Sequence, residues 1–215
     1  GVRWFSGKAK DVRSVEIRRA LRLMEDPVSW FVPVEVEYVE SEPETYGLVL
    51  AAADSDGVDG ETAKAEALVR LEDRDGNSID LIDGFSSMEF DLGLLEGLLG
   101  KRSLPKEINS ELAEGLGTEF EEDEDLSPVP VTREQSNSAV VYGRRYFLKF
   151  FRKLEEGVNP DLEIGRFLTK KGFDYSPSVL ASLEYSPDRN VDPTTLAILH
   201  EFVPNEGDAW AYFHD

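Results

Sequence analysis

Short strand-like segments separated by turn residues run from Ser14 to about Leu81, and they constrain the fold most. The segments lie around 14–23, 31–39, 46–53, 65–70 and 79–81, and the breaks between them are rich in Asp, Ser, Gly, Asn and Pro. Strands joined by such tight turns pair with their neighbours in sequence. This part of the chain is therefore predicted to form an antiparallel sheet of hairpins.

A helical pattern follows this sheet. Apolar residues recur at intervals of three and four from Phe85 to Gly100, which predicts a helix that packs one face on a core. A second, short helix is predicted over 106–114. The acidic run 119–125 and the proline-containing segment 127–130 indicate a solvated linker, because like charges repel and proline resists regular pairing.

After residue 130 the pattern changes to strands with one helix among them. A hairpin is predicted over 140–150 with its turn near Gly143, followed by a helix over 159–172 that begins at an Asn-Pro pair. Two further strands are predicted at 179–185 and 195–202. The chain as a whole is expected to be α+β.

Composition argues against several kinds of function. The 215 residues include no cysteine, and 23 Lys plus Arg stand against 44 Asp plus Glu, a net charge of −21. Nucleic acids and anionic lipids would be repelled by such a chain, and no apolar run approaches the roughly 20 residues of a membrane span. We expect no nucleic-acid partner, no membrane contact, no metal site and, since no secretory signal is present, a cytoplasmic location.

One segment departs from this acidic background. Residues 144–153 carry five positive charges. They are consistent either with a site for an anion or with the charged ends of an edge strand.

The order of elements after residue 134 is typical of the upper half of a kinase ATP site. In that machinery a loop covers the phosphates, a strand lysine neutralises them, and a helix glutamate holds the lysine. The corresponding residues are the loop Gln135-Ser136-Asn137-Ser138, Lys149 and Glu163. Each also has an ordinary structural interpretation: Ser and Asn are common in turns, a strand lysine can face solvent, and acidic residues are favoured near a helix start.

Four segments resemble the maltokinase family, whose members occur alone or fused behind trehalose synthase domains. They are EQSNSAVVYG (134–143), LKFFRKLE (148–155), GVNPDLEIGRFLT (157–169) and LAILHEFVPNEGDAWAY (196–212). In addition, RWFSGK (3–8) resembles the opening of that family's cap subdomain.

The resemblance implies a two-lobed fold like that of aminoglycoside phosphotransferases. An antiparallel-sheet cap subdomain with a packed helix would occupy 1–102, and an intermediate segment with the acidic linker would occupy 103–130. A protein-kinase-like N-lobe, made of a sheet and one αC-like helix, would occupy 131–215. The C-lobe of such an enzyme would be absent.

The resemblance also implies an activity and a set of roles. Maltokinases transfer the γ-phosphate of ATP to maltose, giving maltose 1-phosphate for trehalose- and glycogen-type α-glucan metabolism. Gln135 to Ser138 would form the phosphate loop, Lys149 the phosphate-binding lysine and Glu163 its helix partner. Glu201 and Val203 would lie in the hinge that binds adenine. Asp208 would contact the ribose.

The family's catalytic loop and its acidic Mg²⁺ motif have no counterpart in this chain. His214-Asp215 lies too soon after the hinge to be that loop. No catalytic residue is therefore assigned, and this portion alone is expected to be inactive. ATP and Mg²⁺ are expected cofactors of the full-length enzyme. This portion, which would lack half of the ATP cleft and the Mg²⁺ ligands, is expected to bind nucleotide weakly at best and to carry no bound cofactor. Its partner would be the missing C-lobe or a fused trehalose synthase domain.

Two alternatives stay open at this point. The chain fits a non-catalytic interaction module of a trehalose synthase fusion. It also fits a related kinase acting on another sugar such as glucosamine, because the residues that select the sugar would lie on the absent lobe.

Overall fold

A computed structural model describes residues 4–53, 67–72, 74–76, 78–113, 125–131, 136–188 and 191–205. In these ranges the chain forms two α-helices, α1 (Met88–Leu98) and α2 (Pro160–Lys170). The strands are β1 (Val12–Ile17), β2 (Leu21–Glu25), β3 (Val28–Tyr38), β4 (Glu44–Ala53), β5 (Val69–Glu72), β6 (Ser78–Asp83), β7 (Ile108–Leu112), β8 (Pro128–Pro130), β9 (Asn137–Tyr142), β10 (Tyr146–Phe151), β11 (Lys153–Leu154), β12 (Val179–Tyr185) and β13 (Thr194–Glu201).

The first sheet confirms the predicted antiparallel arrangement. Its seven strands follow the hydrogen-bonded order β1-β3-β4-β6-β5, with β2 also paired to β3 and β11 to β4. The segment predicted as one strand over 14–23 is two strands, β1 and β2, which pair with different stretches of the long strand β3.

The second sheet has six strands in the order β7-β12-β13-β10-β9-β8. The helix predicted over 106–114 is wrong, because residues 108–112 pair with β12 as an edge strand and bury Ile108 in the core. At the opposite edge, β8 contains two prolines, which edge strands tolerate. Residues 103–130, which were predicted to be an intermediate segment and linker, thus supply both edge strands of the second sheet, β7 and β8. Of the predicted acidic linker over 119–125, residues 119–124 lie outside the described ranges.

Both helices begin at side-chain caps. The Ser87 hydroxyl accepts a hydrogen bond from the N–H of Phe90 at the start of α1, and the side-chain Oδ1 of Asn159 accepts one from the N–H of Asp161 at the start of α2. Pro160 occupies the first turn of α2, where its missing N–H costs nothing. The α+β prediction is confirmed in these elements.

One continuous apolar core joins the two sheets. The helix α1 contributes residues that are almost fully buried, and both sheets contribute to the same cluster. Its members include Phe31, Val49, Phe90, Leu94, Leu98, Leu148, Phe150 and Leu199. A separate small cluster of Phe151, Leu162, Val179 and Ile198 holds α2 against the other face of the second sheet.

A charged side chain is buried where the chain passes from one sheet to the other. Arg152 lies between β10 of the second sheet and β11, which pairs with the first, and it is 1% exposed. Its Nη2 donates to both carboxylate oxygens of Asp83 at 2.7 and 2.8 Å, and its Nε donates to the Ser138 hydroxyl at 2.8 Å. The rings of Trp4 and Phe85 each lie 5.0 Å from its guanidinium carbon. The charge is therefore paired and enclosed by aromatic faces.

A buried acid lies beside this ion pair. Asp91 of α1 is 1% exposed, and neither of its carboxylate oxygens has a hydrogen-bond partner within the described ranges. Burial and the neighbouring Asp83 raise the pKa of Asp91 to about 8, while Arg152 opposes that shift. Asp91 is therefore largely protonated at neutral pH. Asp83 is thus the carboxylate that balances the positive charge of Arg152.

The turn between β9 and β10 should be intolerant of any side chain. Gly143 has a φ of +55°, and a Cβ there would lie 2.1 Å from the carbonyl oxygen of Asp125. At Gly76, where φ is +87°, a Cβ would meet no described atom within 4 Å. Left-handed backbone alone costs about 1–2 kcal/mol. We expect Gly143→Ala to lower the free energy of urea unfolding at least about twice as much as Gly76→Ala, and equal losses would contradict the close approach.

The buried acid should make stability depend on pH. The folded chain keeps the Asp91 proton up to about pH 8, whereas an unfolded chain releases it near pH 4. The folded state therefore binds more protons in between, and this group's contribution to the free energy of unfolding falls as the pH rises from about 4 to about 8.

The Asp91→Asn variant, which cannot ionise, tests that dependence. Its free energy of unfolding relative to the native chain should rise by at least about 1 kcal/mol between about pH 5 and about pH 8. Urea titrations at both pH values measure this, with Asp174→Asn at an exposed position as the control. Parallel pH profiles for the native chain and Asp91→Asn would contradict the assignment.

Candidate functional site

The face of the second sheet that points away from the core carries the predicted lysine. Along β10, Leu148 and Phe150 enter the core, whereas Phe147 and Lys149 lie half-buried on the opposite face. Lys149 is in register with Ala139 of β9 and Ile198 of β13, which places it near the middle of the sheet. We call this surface the open face.

Lys149 is paired with a carboxylate of α2, although not with the predicted one. Its Nζ donates to Oδ2 of Asp161 at 2.7 Å. Glu163 is exposed, and no hydrogen bond or ion pair joins it to Lys149. Two residues correspond to roughly 200° around a helix, so Asp161 and Glu163 lie on opposite sides of the buried Leu162. The sequence alone could not show which side faces the lysine.

The Lys149–Asp161 pair is accessible to water. The Lys149 side chain is 26% exposed and that of Asp161 is 55% exposed. Exposed ion pairs are worth about 0–1 kcal/mol. A phosphate group could therefore replace the Asp161 carboxylate at little cost.

The predicted phosphate loop is described only in part, since Gln135 lies outside the described ranges. Ser136 is exposed, and its hydroxyl accepts a hydrogen bond from Asn137 at 3.3 Å. Asn137 is in register with Phe151, on the open face, whereas Ser138 is in register with Phe150, on the core side. The Ser138 hydroxyl therefore contacts Arg152 within the protein. Of the two loop residues that lie within β9, Asn137 is the one whose side chain is placed to meet a ligand on the open face.

A cavity of about 310 Å³ lies at one end of the open face, next to the end of β13. Both predicted hinge residues, Glu201 and Val203, line it. The other lining residues are Phe147, Pro177, His200, Phe202 and Asn205.

Backbone donors at the hinge differ in availability. The N–H of Glu201 donates to the carbonyl of Ser178 and that of Phe202 to the carbonyl of Arg145, at 3.0 and 2.9 Å. For the N–H of Val203, the described residues provide no hydrogen-bond acceptor. A flat ligand in the cavity could use this donor. Asp208, the predicted ribose contact, lies outside the described ranges.

His200 is a further lining residue that the sequence did not single out. It is in register with Phe147, and its Nδ1 is buried without a hydrogen-bond partner in the part of the chain that is described. Burial, and then the charge of Lys149, lower the pKa of His200, so the ring is neutral at neutral pH. Strand alternation from Ile198 was the signal that could have placed it on the open face.

The described residues contain no cluster of three or more His, Cys, Asp or Glu side chains arranged to bind a metal ion. None of the helices in those same ranges is both long enough and apolar enough to cross a membrane.

No family model matches the sequence. Among solved structures, the chain is similar to a glucosamine kinase in complex with glucosamine, ADP and inorganic phosphate, with a TM-score of 0.51 and 15% identity over 97% of this chain. Crystal forms B and A of a glucosamine kinase match with TM-scores of 0.54 and 0.50, both at 14% identity, over 97% and 99% of this chain.

The matched kinases are much longer than this chain, which covers 40%, 39% and 42% of their respective lengths. At such low identity the likeness shows the fold alone. The chain thus has a sugar-kinase-like fold, corresponding to about two fifths of those proteins, and its membership of the maltokinase family stays a prediction.

Proposed function

We propose that this chain is the nucleotide-binding portion of an ATP-dependent sugar kinase. The observation that carries the proposal is the open face, where the accessible Lys149 lies between a cavity at the hinge and Asn137, near the end of the predicted phosphate loop. The order of the second sheet and the position of α2 support its assignment as the N-lobe. The first sheet with α1 would be the cap subdomain.

Three positions along β10, each on the open face, are spaced to match the parts of a nucleotide. Phe147 lies at the cavity, Lys149 two residues further on, and Phe151 beside Asn137 two residues beyond that. Strands rise about 3.3 Å per residue, so successive positions on this face are roughly 7 Å apart. A base in the cavity would direct its phosphates along the strand, towards the lysine and the loop.

The chemistry of each position agrees with this placement. The N–H of Val203 can donate to the edge of adenine, and the Phe147 side chain supplies an apolar surface for its plane. Lys149 can exchange its weak pair with Asp161 for phosphate oxygens. Phosphoryl transfer relies mainly on such positioning and charge neutralisation.

In kinases a helix carboxylate holds the phosphate-binding lysine. Asp161 makes that contact in this chain. Glu163, which the maltokinase resemblance assigns to the role, could replace it only if α2 turned about its axis. We propose that both carboxylates are available to Lys149, with Asp161 as the partner before any such rotation.

The complete reaction needs groups outside this chain. We propose that the parent enzyme phosphorylates the reducing-end hydroxyl of maltose, in the cytoplasm, with a C-lobe or a fused trehalose synthase domain as partner. In this proposal Mg²⁺ would be held by the C-lobe, to which the family resemblance assigns the acidic Mg²⁺ motif. Glucosamine is the second candidate sugar, which the glucosamine kinases among the structural neighbours favour.

The lysine can be tested with a charge-removing variant. In NMR titrations of labelled protein with ATP, shifts should concentrate at residues 136–141, 147–149 and 200–205. Lys149→Met should weaken ATP binding about tenfold, the scale of one charge-assisted hydrogen bond, and leave the hinge shifts in place.

Lys170→Met is the matched control, because Lys170 is an exposed lysine at the end of α2. It should leave the ATP affinity unchanged. Equal losses in the two variants, or shifts concentrated on the first sheet, would contradict the proposed site.

A further inference from the structure

The Arg152 ion pair connects the first sheet to the predicted phosphate loop. We propose that Arg152 and Asp83 are positioning residues that fix Ser138, so that the first sheet sets the geometry of the loop at 136–138. This inference rests on the proposed nucleotide site. In this proposal the predicted cap subdomain contributes to phosphate binding indirectly. It contacts the core side of the second sheet, whereas the phosphates would bind on the open face.

Asp83 is a firm anchor for this contact. It is the last residue of β6, and its Oδ1 also accepts a hydrogen bond from the N–H of Phe85 at 3.1 Å, which caps the 3₁₀ turn Gly84–Ser86. Its carboxylate is thus oriented by the backbone of the first sheet. The guanidinium that binds both oxygens of this carboxylate is oriented in turn.

The orientation of Arg152 determines where Ser138 lies. A guanidinium is planar and rigid, so fixing Nη2 on Asp83 also fixes the direction of Nε. Nε donates to the Ser138 hydroxyl at 2.8 Å. The rings of Trp4, Phe85 and Phe150, at 5.0, 5.0 and 5.7 Å, leave the group little freedom to move.

The hairpin itself does not need this contact. The backbone ladder between β9 and β10 is continuous from Tyr142 to Asn137, and it holds the two strands without help from side chains. The Ser138 bond adds a restraint at the end of the ladder, where the chain leaves the loop and enters the sheet.

A contribution to folding stability does not by itself account for the buried charge of Arg152. Buried ion pairs are often no more stabilising than apolar groups of similar size, and specificity of conformation is one reason to retain them. Asp91 faces the same cluster from α1 but is largely protonated at neutral pH, so it does not compete with Asp83 for the guanidinium. The contact to Ser138 is the one link from this cluster to the predicted loop that the described residues show.

Ser138→Ala and its matched control test the proposal. In the same sheet, Ser182 is 1% exposed and its hydroxyl accepts a hydrogen bond from Arg166 at 2.7 Å, so Ser182→Ala removes a similar bond far from the loop. Asp83→Asn removes the carboxylate that orients Arg152. Thermal melts of each variant should be run first to check that it is folded.

Two measurements are made on every variant, namely amide hydrogen exchange and NMR-determined affinity for ATP and for adenosine. In Ser138→Ala and Asp83→Asn, exchange at residues 137–139 should quicken about tenfold, the scale of one hydrogen bond to a charged group. ATP binding should weaken by a similar factor while adenosine binding stays unchanged, because adenosine carries no phosphate. Ser182→Ala should change neither.

Unchanged exchange at 137–139 would overturn the proposal, as would equal losses of ATP and adenosine affinity in Ser138→Ala. If the native chain bound neither ligand, the nucleotide site would fail as a proposal. The exchange rates would then still decide whether Arg152 and Asp83 position Ser138.

Discussion

The buried guanidinium of Arg152 is the interaction on which the arrangement of the two sheets depends. Removing a charge from water costs several kcal/mol unless it is paired and hydrogen-bonded. Asp83 from the first sheet and Ser138 from the second supply those partners. The same residue marks the point where β10 ends and the chain continues into β11, so the covalent connection and the ion pair join the sheets at one place. A relative movement of the sheets would have to break this pair.

Because the sheets are joined in this way, the two faces of the second sheet have different surroundings. One face is filled by the shared apolar core, in which α1 contacts both sheets. On the open face, α2 packs on Phe151, Val179 and Ile198, and the cavity lies next to the end of β13. Along β10, Lys149 lies between Phe147 at the cavity and Phe151 under α2. Its pair with Asp161 is exposed and therefore weak. Lys149 is thus placed to meet an anion on the open face while its own ion pair contributes little to the stability of the fold.

Local patterns predicted much of this architecture. Tight turns predicted the antiparallel first sheet, and the turn at Gly143 and the helix over 159–172 were predicted from single residues with defined backbone preferences. The predictions failed where contacts between distant residues determine the secondary structure. Residues 106–114 were predicted to be a helix, but residues 108–112 form an edge strand because they pair with β12. In the sequence, Arg152 was one of the five positive charges at 144–153, which were consistent with an anion site or with the charged ends of an edge strand. Its burial could not be predicted, because its partner Asp83 lies 69 positions away.

The proposal that the open face holds a nucleotide can be tested with a crystal of this chain soaked with a non-hydrolysable ATP analogue. Adenine should lie in the cavity, within hydrogen-bond distance of the Val203 N–H, and phosphate oxygens should lie within hydrogen-bond distance of Lys149 Nζ. An analogue bound on the first sheet, or bound with its phosphates directed away from Lys149, would contradict it.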